Sequence, residues 1–264
     1  MRGLRPAYRP LASLLALLAL ACGKDTDLEF EEPDPADVLY ERGLEILEGE
    51  TYLGFIPRVD YDEAIATFQT IIDNYPYSEY AVLAELRIAD SYFEDQKYEE
   101  ALSFYRDFGD LHPQHEKVPY TVYRSAMCHV ERIKRVDRDQ TATREALVYL
   151  DKLLSDHPYS EYAPEAEKLW RKLRRKLGKQ VLGIADFYRV RGEYEAAAER
   201  YRSLLSEYPG LGLDAESLYK LGLCYEAMNR WPEAERVFQA VVQNYHGSDE
   251  AAAAEGRLRE RQDG

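Results

Sequence analysis

His112 and His115 stand three residues apart, a spacing that on one helix would aim two imidazoles at a common metal ion. Pro113 between them breaks such a helix, and no cysteine or third histidine lies near, so metal chemistry is not expected there. Three of the five histidines (His112, His157 and His246) sit at or beside helix-stopping positions, where an exposed polar residue is ordinary, and incidental surface histidines are the expectation. The chain has no glycine-rich phosphate loop, no Gly-x-Ser-x-Gly elbow and no paired carboxylates in an apolar setting. Its many carboxylates fall on the polar faces of helices, where they are solvated. No catalytic residue, metal or cofactor is expected, and the chain does not read as an enzyme.

One cysteine does invite chemistry. Arg2, Arg5 and Arg9 precede an apolar run over residues 11–21, about half the length a membrane span requires, which marks a targeting segment. The run ends in Ala19-Leu20-Ala21-Cys22, which resembles a bacterial lipobox. The resemblance implies removal of residues 1–21 and acylation of the Cys22 thiol. Gly23 after the cysteine, rather than aspartate, implies sorting to the outer membrane. Residues 22–37 read as an acidic tether, with seven acidic side chains and two prolines in residues 23–37 against the single Lys24. Cleavage would take away three arginines, so a net charge of −15 becomes −18. Nucleic acid is therefore excluded as a partner, and an acidic body does not adhere directly to anionic lipid. Cys128 and Cys224 each stand two residues after a small residue in a helix and read as buried packing groups without a disulfide.

The elements that carry these residues follow from a repeat. Ala64/Phe68/Pro76, Ala101/Tyr105/Pro113, Ala146/Leu150/Pro158, Ala197/Tyr201/Pro209 and Ala234/Phe238/His246 share one spacing, and Ala89, Ala185 and Gly222 each stand twelve residues before an alanine of the set. Two helices per unit must cross closely at the small residues while an aromatic or leucine fills the space beside them. Proline then stops the second helix, and Ser78 and Ser160 are placed to cap the next one. The last unit, Leu218-x2-Leu221-Gly222-x2-Tyr225 followed by Ala234-x3-Phe238, resembles the tetratricopeptide pattern. The fold class expected is an all-α solenoid of about five helix-turn-helix units. An insertion with Gly49, Gly54 and Pro57 reads as a loop in unit one, and another lies around residues 132–141 in unit three. Leu169, Leu173, Leu177, Val181, Ile184 and Tyr188 form an apolar stripe that predicts one long helix over residues 161–188. Units one to three then occupy residues 38–160; the long helix, units four and five and a terminal capping helix occupy 161–264.

Two features exceed a generic array. Arg132, Lys134, Arg135 and Arg138, then Lys168, Arg171, Lys172, Arg174, Arg175, Lys176 and Lys179, are basic clusters in an acidic chain, either a solvated helix face or a docking strip for an acidic partner. The 22 tyrosines exceed what packing requires and suit a surface that binds extended polypeptide.

Residues Val136-Asp137-Arg138-Asp139-Gln140-Thr141-x2-Arg144-Glu145-Ala146, Tyr188-x2-Arg191-Gly192-x-Tyr194-x-Ala196-Ala197-x2-Arg200-Tyr201 and His112-Pro113-x-His115-x2-Val118-x-Tyr120-x2-Tyr123 resemble the BamD family of outer-membrane assembly lipoproteins. The resemblance implies a lipid-anchored protein on the periplasmic face of the outer membrane of a Gram-negative bacterium. It implies as partners the POTRA domains of BamA, other lipoproteins of the same complex and unfolded outer-membrane β-barrel precursors. It places Arg200 at the BamA contact and makes Arg138 and Tyr194 further candidates for partner binding. Arg200 could equally be an exposed residue that pairs with Glu199 or Glu207, and Arg138, Asp139 and Thr141 could equally brace the unit-three insertion. The competing scaffold is another periplasmic repeat lipoprotein, for pilus assembly or cell-division coordination.

Overall fold

A computed structural model describes residues 34–52, 56–133 and 139–263. Cys22 and Arg138 lie outside them, as do Lys134 and Arg135. The described residues hold eleven helices and one short hairpin: α1 (Ala36–Glu48), β1 (Glu50–Tyr52), β2 (Ile56–Arg58), α2 (Tyr61–Asn74), α3 (Glu79–Glu94), α4 (Tyr98–Leu111), α5 (Val118–Glu131), α6 (Thr141–Asp156), α7 (Ala163–Val190), α8 (Tyr194–Glu207), α9 (Asp214–Ala227), α10 (Trp231–Asn244) and α11 (Asp249–Asp263). Residues 36–264 form one compact unit.

The helices pack in series, each against its sequence neighbours, as an α-solenoid must. Every alanine of the repeat is fully buried, and its partner four residues on, Phe68, Tyr105, Leu150, Tyr201 or Phe238, is buried with it. The need for small residues is steric: a Cβ on Gly43 would lie 2.5 Å from the Phe68 ring, and one on Gly222 would lie 2.4 Å from Phe238. The second helices α2, α4, α6, α8 and α10 each stop two residues before Pro76, Pro113, Pro158, Pro209 and His246. Between the helices of units two, four and five, Gln96, Gly192 and Asn229 take φ of 62°, 79° and 60°. That left-handed residue turns the chain so that the amides of Lys97, Glu193 and Arg230 donate to the carbonyls of Tyr92, Tyr188 and Tyr225 at 2.9, 3.0 and 2.9 Å.

The long helix is α7, 28 residues. Ala166, Leu173 and Leu177 enter a core shared with α5 and α6, while Leu182 and Ala185 enter the core of units four and five. Ile184, expected on the buried stripe, is exposed. The α7 face that packs turns between the two cores and buries Leu182 and Ala185 instead.

Two further expectations change. The unit-one insertion holds a hairpin, with Glu50 opposite Arg58, Thr51 opposite Pro57 and Tyr52 opposite Ile56. Gly49 at φ 76° turns the chain out of α1, and threonine and tyrosine favour strand; a two-stranded ribbon has only edges, where proline is tolerated. Ser78 does cap α3, accepting from the Tyr80 amide at 3.2 Å, and Ser248 caps α11 in the same way. Ser160 does not cap: α7 begins at Ala163, two positions later than the repeat would give, because Pro164 has no amide to donate to the Ser160 carbonyl, the first bond that a helix starting at Glu161 would need. The Ser160 hydroxyl is left buried without a hydrogen-bond partner.

Candidate polypeptide-binding surfaces

Asp90 follows the small Ala89 on α3, and its Oδ1 accepts from two phenols, Tyr105 of α4 at 2.6 Å and Tyr120 of α5 at 2.5 Å. Arg124 of α5 closes the cluster. Its Nε donates to the Tyr105 oxygen at 3.0 Å, its Nη2 to Glu94 at 3.0 Å, and its guanidinium stands 3.7 Å from the Phe93 ring centre. Burial, and then the Asp90 charge, push the Tyr105 and Tyr120 phenols well above their ordinary pKa, so both remain neutral donors. Arg87, 3.9 Å from Asp90, donates through Nε to the Tyr40 hydroxyl of α1 at 3.0 Å. Tyr120 and Tyr123 in turn meet Tyr162, the latter ring stacked at 5.6 Å. The first helices of units one to three and the start of α7 thus share a chain of tyrosines and arginines in which Tyr40 and Tyr105 are buried, while Arg87, Tyr120, Tyr123, Arg124 and Tyr162 stay partly exposed, and those exposed rings and polar groups suit an extended polypeptide.

The same device recurs in unit four. Asp186, next to Ala185, accepts from the Tyr201 hydroxyl at 2.6 Å and from Lys220 Nζ at 2.8 Å, and Lys220 also reaches Glu216 at 2.6 Å. Sequence reading missed these networks, although a signal was present. Units two and four carry tyrosine at the buried aromatic position and an aspartate directly after the small residue; the other units carry phenylalanine or leucine there, and leucine follows Gly43 and Gly222.

Arg200 is exposed on α8 and pairs with neither Glu199 nor Glu207. Tyr194 opens α8, half-buried against the core of units four and five. The two share a helix, while the Asp90 cluster belongs to α3, α4 and α5, so the predicted contact residues do not converge with it. Asp139 accepts from the Thr141 amide at 3.0 Å and its hydroxyl at 2.6 Å, which fixes the start of α6. His246 is exposed, as expected, but three other histidines pack within the fold. His112 sits half-buried 2.9 Å from Glu85 of α3, the first helix of the same unit, and both His112 and His115 pack on Phe108. His129 is buried and stacked on Tyr149, its Nδ1 3.0 Å from Glu145 but at an angle that forms no hydrogen bond. Burial pulls the His129 pKa below its ordinary value, against the attraction of Glu145. Among the described residues no three His, Cys, Asp or Glu side chains are grouped to hold a metal. Cys128 and Cys224 are buried free thiols in separate cores, pushed by burial up to about 12 and to about 11.

The basic residues of α7 divide. Arg174 packs over Trp170 and Tyr208 and donates to the Glu207 carbonyl, joining α7 to the end of α8. Arg171, Lys172, Arg175, Lys176 and Lys179 instead line an open cavity of about 600 Å³ with Gly210 and Leu211 of the α8–α9 connection.

The profile of the outer membrane lipoprotein family YfiO matches residues 35–240, from the start of α1 to four residues short of the end of α10. The chain belongs to this family. Among YfiO relatives, the outer membrane protein assembly factor BamD of Caulobacter vibrioides is 27% identical over 246 residues, 92% of this chain and 77% of its own. That of Vibrio cholerae is 28% identical over 249 residues, 90% of this chain and 98% of its own. A solved structure of the TPR2AB domain of yeast Sti1 with pHSP90 overlays at TM-score 0.45 and 15% identity, covering 85% of this chain and 84% of that one. The YfiO match runs from α1 into α10, so membership rests on the stacked units together and not on one motif.

Proposed function

We propose that this protein is a lipid-anchored scaffold of the machinery that assembles β-barrel proteins in the outer membrane. In this reading it holds the POTRA domains of BamA, other lipoproteins of that complex and unfolded barrel precursors on the periplasmic face, and transforms none of them. The observation that carries the reading is the reach of the family match from α1 into α10, together with relatives named as outer membrane protein assembly factors.

The chemistry is positional. Stacked helices keep the Tyr40–Tyr162 surface and the Arg200 surface on one unit, so two bound polypeptides meet at raised effective concentration. The anchor in this reading is Cys22, whose lipobox-like sequence Ala19-Leu20-Ala21-Cys22 implies acylation. Two or three acyl chains give stable residence where one would not.

The test is co-purification from envelope extracts. The full chain should bring down BamA, and Arg200→Glu should reduce that recovery without changing the melting temperature. Recovery of pilus or division proteins in place of BamA would end the reading.

A further inference from the structure

The five cations of α7 lie within nine residues, so at the rise of a helix they run along about 12 Å instead of converging on a point. They face Gly210 and Leu211 across the cavity, and Leu211 with the aliphatic stems of the lysines and arginines gives it an apolar wall. Arg171 is paired with Glu167 at 2.8 Å, but Lys172, Arg175 and Lys179 meet no carboxylate within ion-pair distance among the described residues. In a chain of net charge −15, three exposed and unneutralised cations along one recess form a local positive field.

The geometry points to a docking groove along α7 for an extended acidic peptide segment of a partner protein. Lys172 and Lys179 stand about 10.5 Å apart along the helix axis with Arg175 between them, about the span of three to four residues of an extended chain at about 3.3 Å each. A single phosphate is the poorer fit, because the cations are strung out and the Gly210 amide is already donated to Asp214 at 3.0 Å. A bilayer surface is poorer too: the cations line a recess between a helix and a connection, and the acidic chain as a whole is repelled by anionic lipid.

The groove is independent of the barrel-assembly role, since its test needs only the purified full-length chain. A labelled short peptide of alternating glutamate and serine should bind saturably by fluorescence anisotropy, and more weakly as salt rises. Lys172→Glu, Arg175→Glu and Lys179→Glu together should weaken it by about tenfold or more, with far-UV circular dichroism and melting temperature unchanged, while Arg200→Glu binds like the parent. If the triple reversal fails to fold, the same three positions as glutamine supply the measurement. Equal binding by parent and folded triple variant, equal binding of a lysine–serine peptide, or displacement of the peptide by phosphatidylglycerol vesicles or inorganic phosphate would overturn the assignment. Loss of BamA recovery with peptide binding intact would count against the proposed function and leave this groove standing.

Discussion

At the scale of single residues, the close crossings give the sharpest expectations. Gly222→Ala places a methyl 2.4 Å from the buried Phe238 ring and should lower unfolding free energy by about 1–3 kcal/mol in a denaturant melt. Gly183→Ala, on the exposed side of α7 with nothing within 4 Å, should raise it by up to about 1 kcal/mol, because alanine loses less backbone entropy in a helix. One histidine carries a pH dependence. The folded pKa of His129 lies below its unfolded value of about 6.5, so folding releases a proton; its contribution is complete above that pH and is lost as pH falls. His129→Phe keeps the stack on Tyr149, and the melting temperature of the parent should fall relative to this variant as the pH drops below about 6.5. Parallel pH profiles would contradict the assignment. The sequence marked His129 as polar and nothing more, since its burial comes from α6 crossing over α5.

At the scale of elements, the caps separate two identical motifs. Pro76-Tyr77-Ser78-Glu79-Tyr80-Ala81 and Pro158-Tyr159-Ser160-Glu161-Tyr162-Ala163 read alike, yet only Ser78 holds an amide. Ser78→Ala should cost about 1 kcal/mol and Ser160→Ala nothing or less, because the second hydroxyl is buried without a partner. Thermal melts of the two variants decide it. The difference is legible only when Pro164 is read with the cap, since proline moves the helix start. Helix α7 was legible from its apolar spacing, but which face packs at Ile184 depends on the neighbouring core.

At the scale of the whole molecule, serial stacking means that no single residue gathers the chemistry, and function is carried by surfaces set apart along the array. Cys22→Ala should leave helical content and melting temperature unchanged and move the protein from the membrane fraction to the soluble one; retention in membranes would argue against acylation as the anchor. The Tyr40–Arg87–Asp90–Tyr120–Arg124 surface should respond differently from Arg200. Because Asp90 serves two phenols and lies near two guanidinium groups, Asp90→Ala should destabilise the fold by about 1–3 kcal/mol as well as alter the surface, whereas Arg200→Glu should alter binding alone.

The amino-acid order alone determined the period, the ends of the second helices and the small and bulky buried positions of each unit, because alanine or glycine at a crossing and proline after a helix act through local sterics that any unit obeys. It also placed the tyrosines and the cations on particular helices. The tertiary structure decided which of them meet. Asp90 and Arg124, like Asp186 and Lys220, are 34 residues apart in the chain and become neighbours only when one unit stacks on the next. The α7 cations, too, become a recess only where the α8–α9 connection folds back over them, a distance set by packing and by no local preference of the chain.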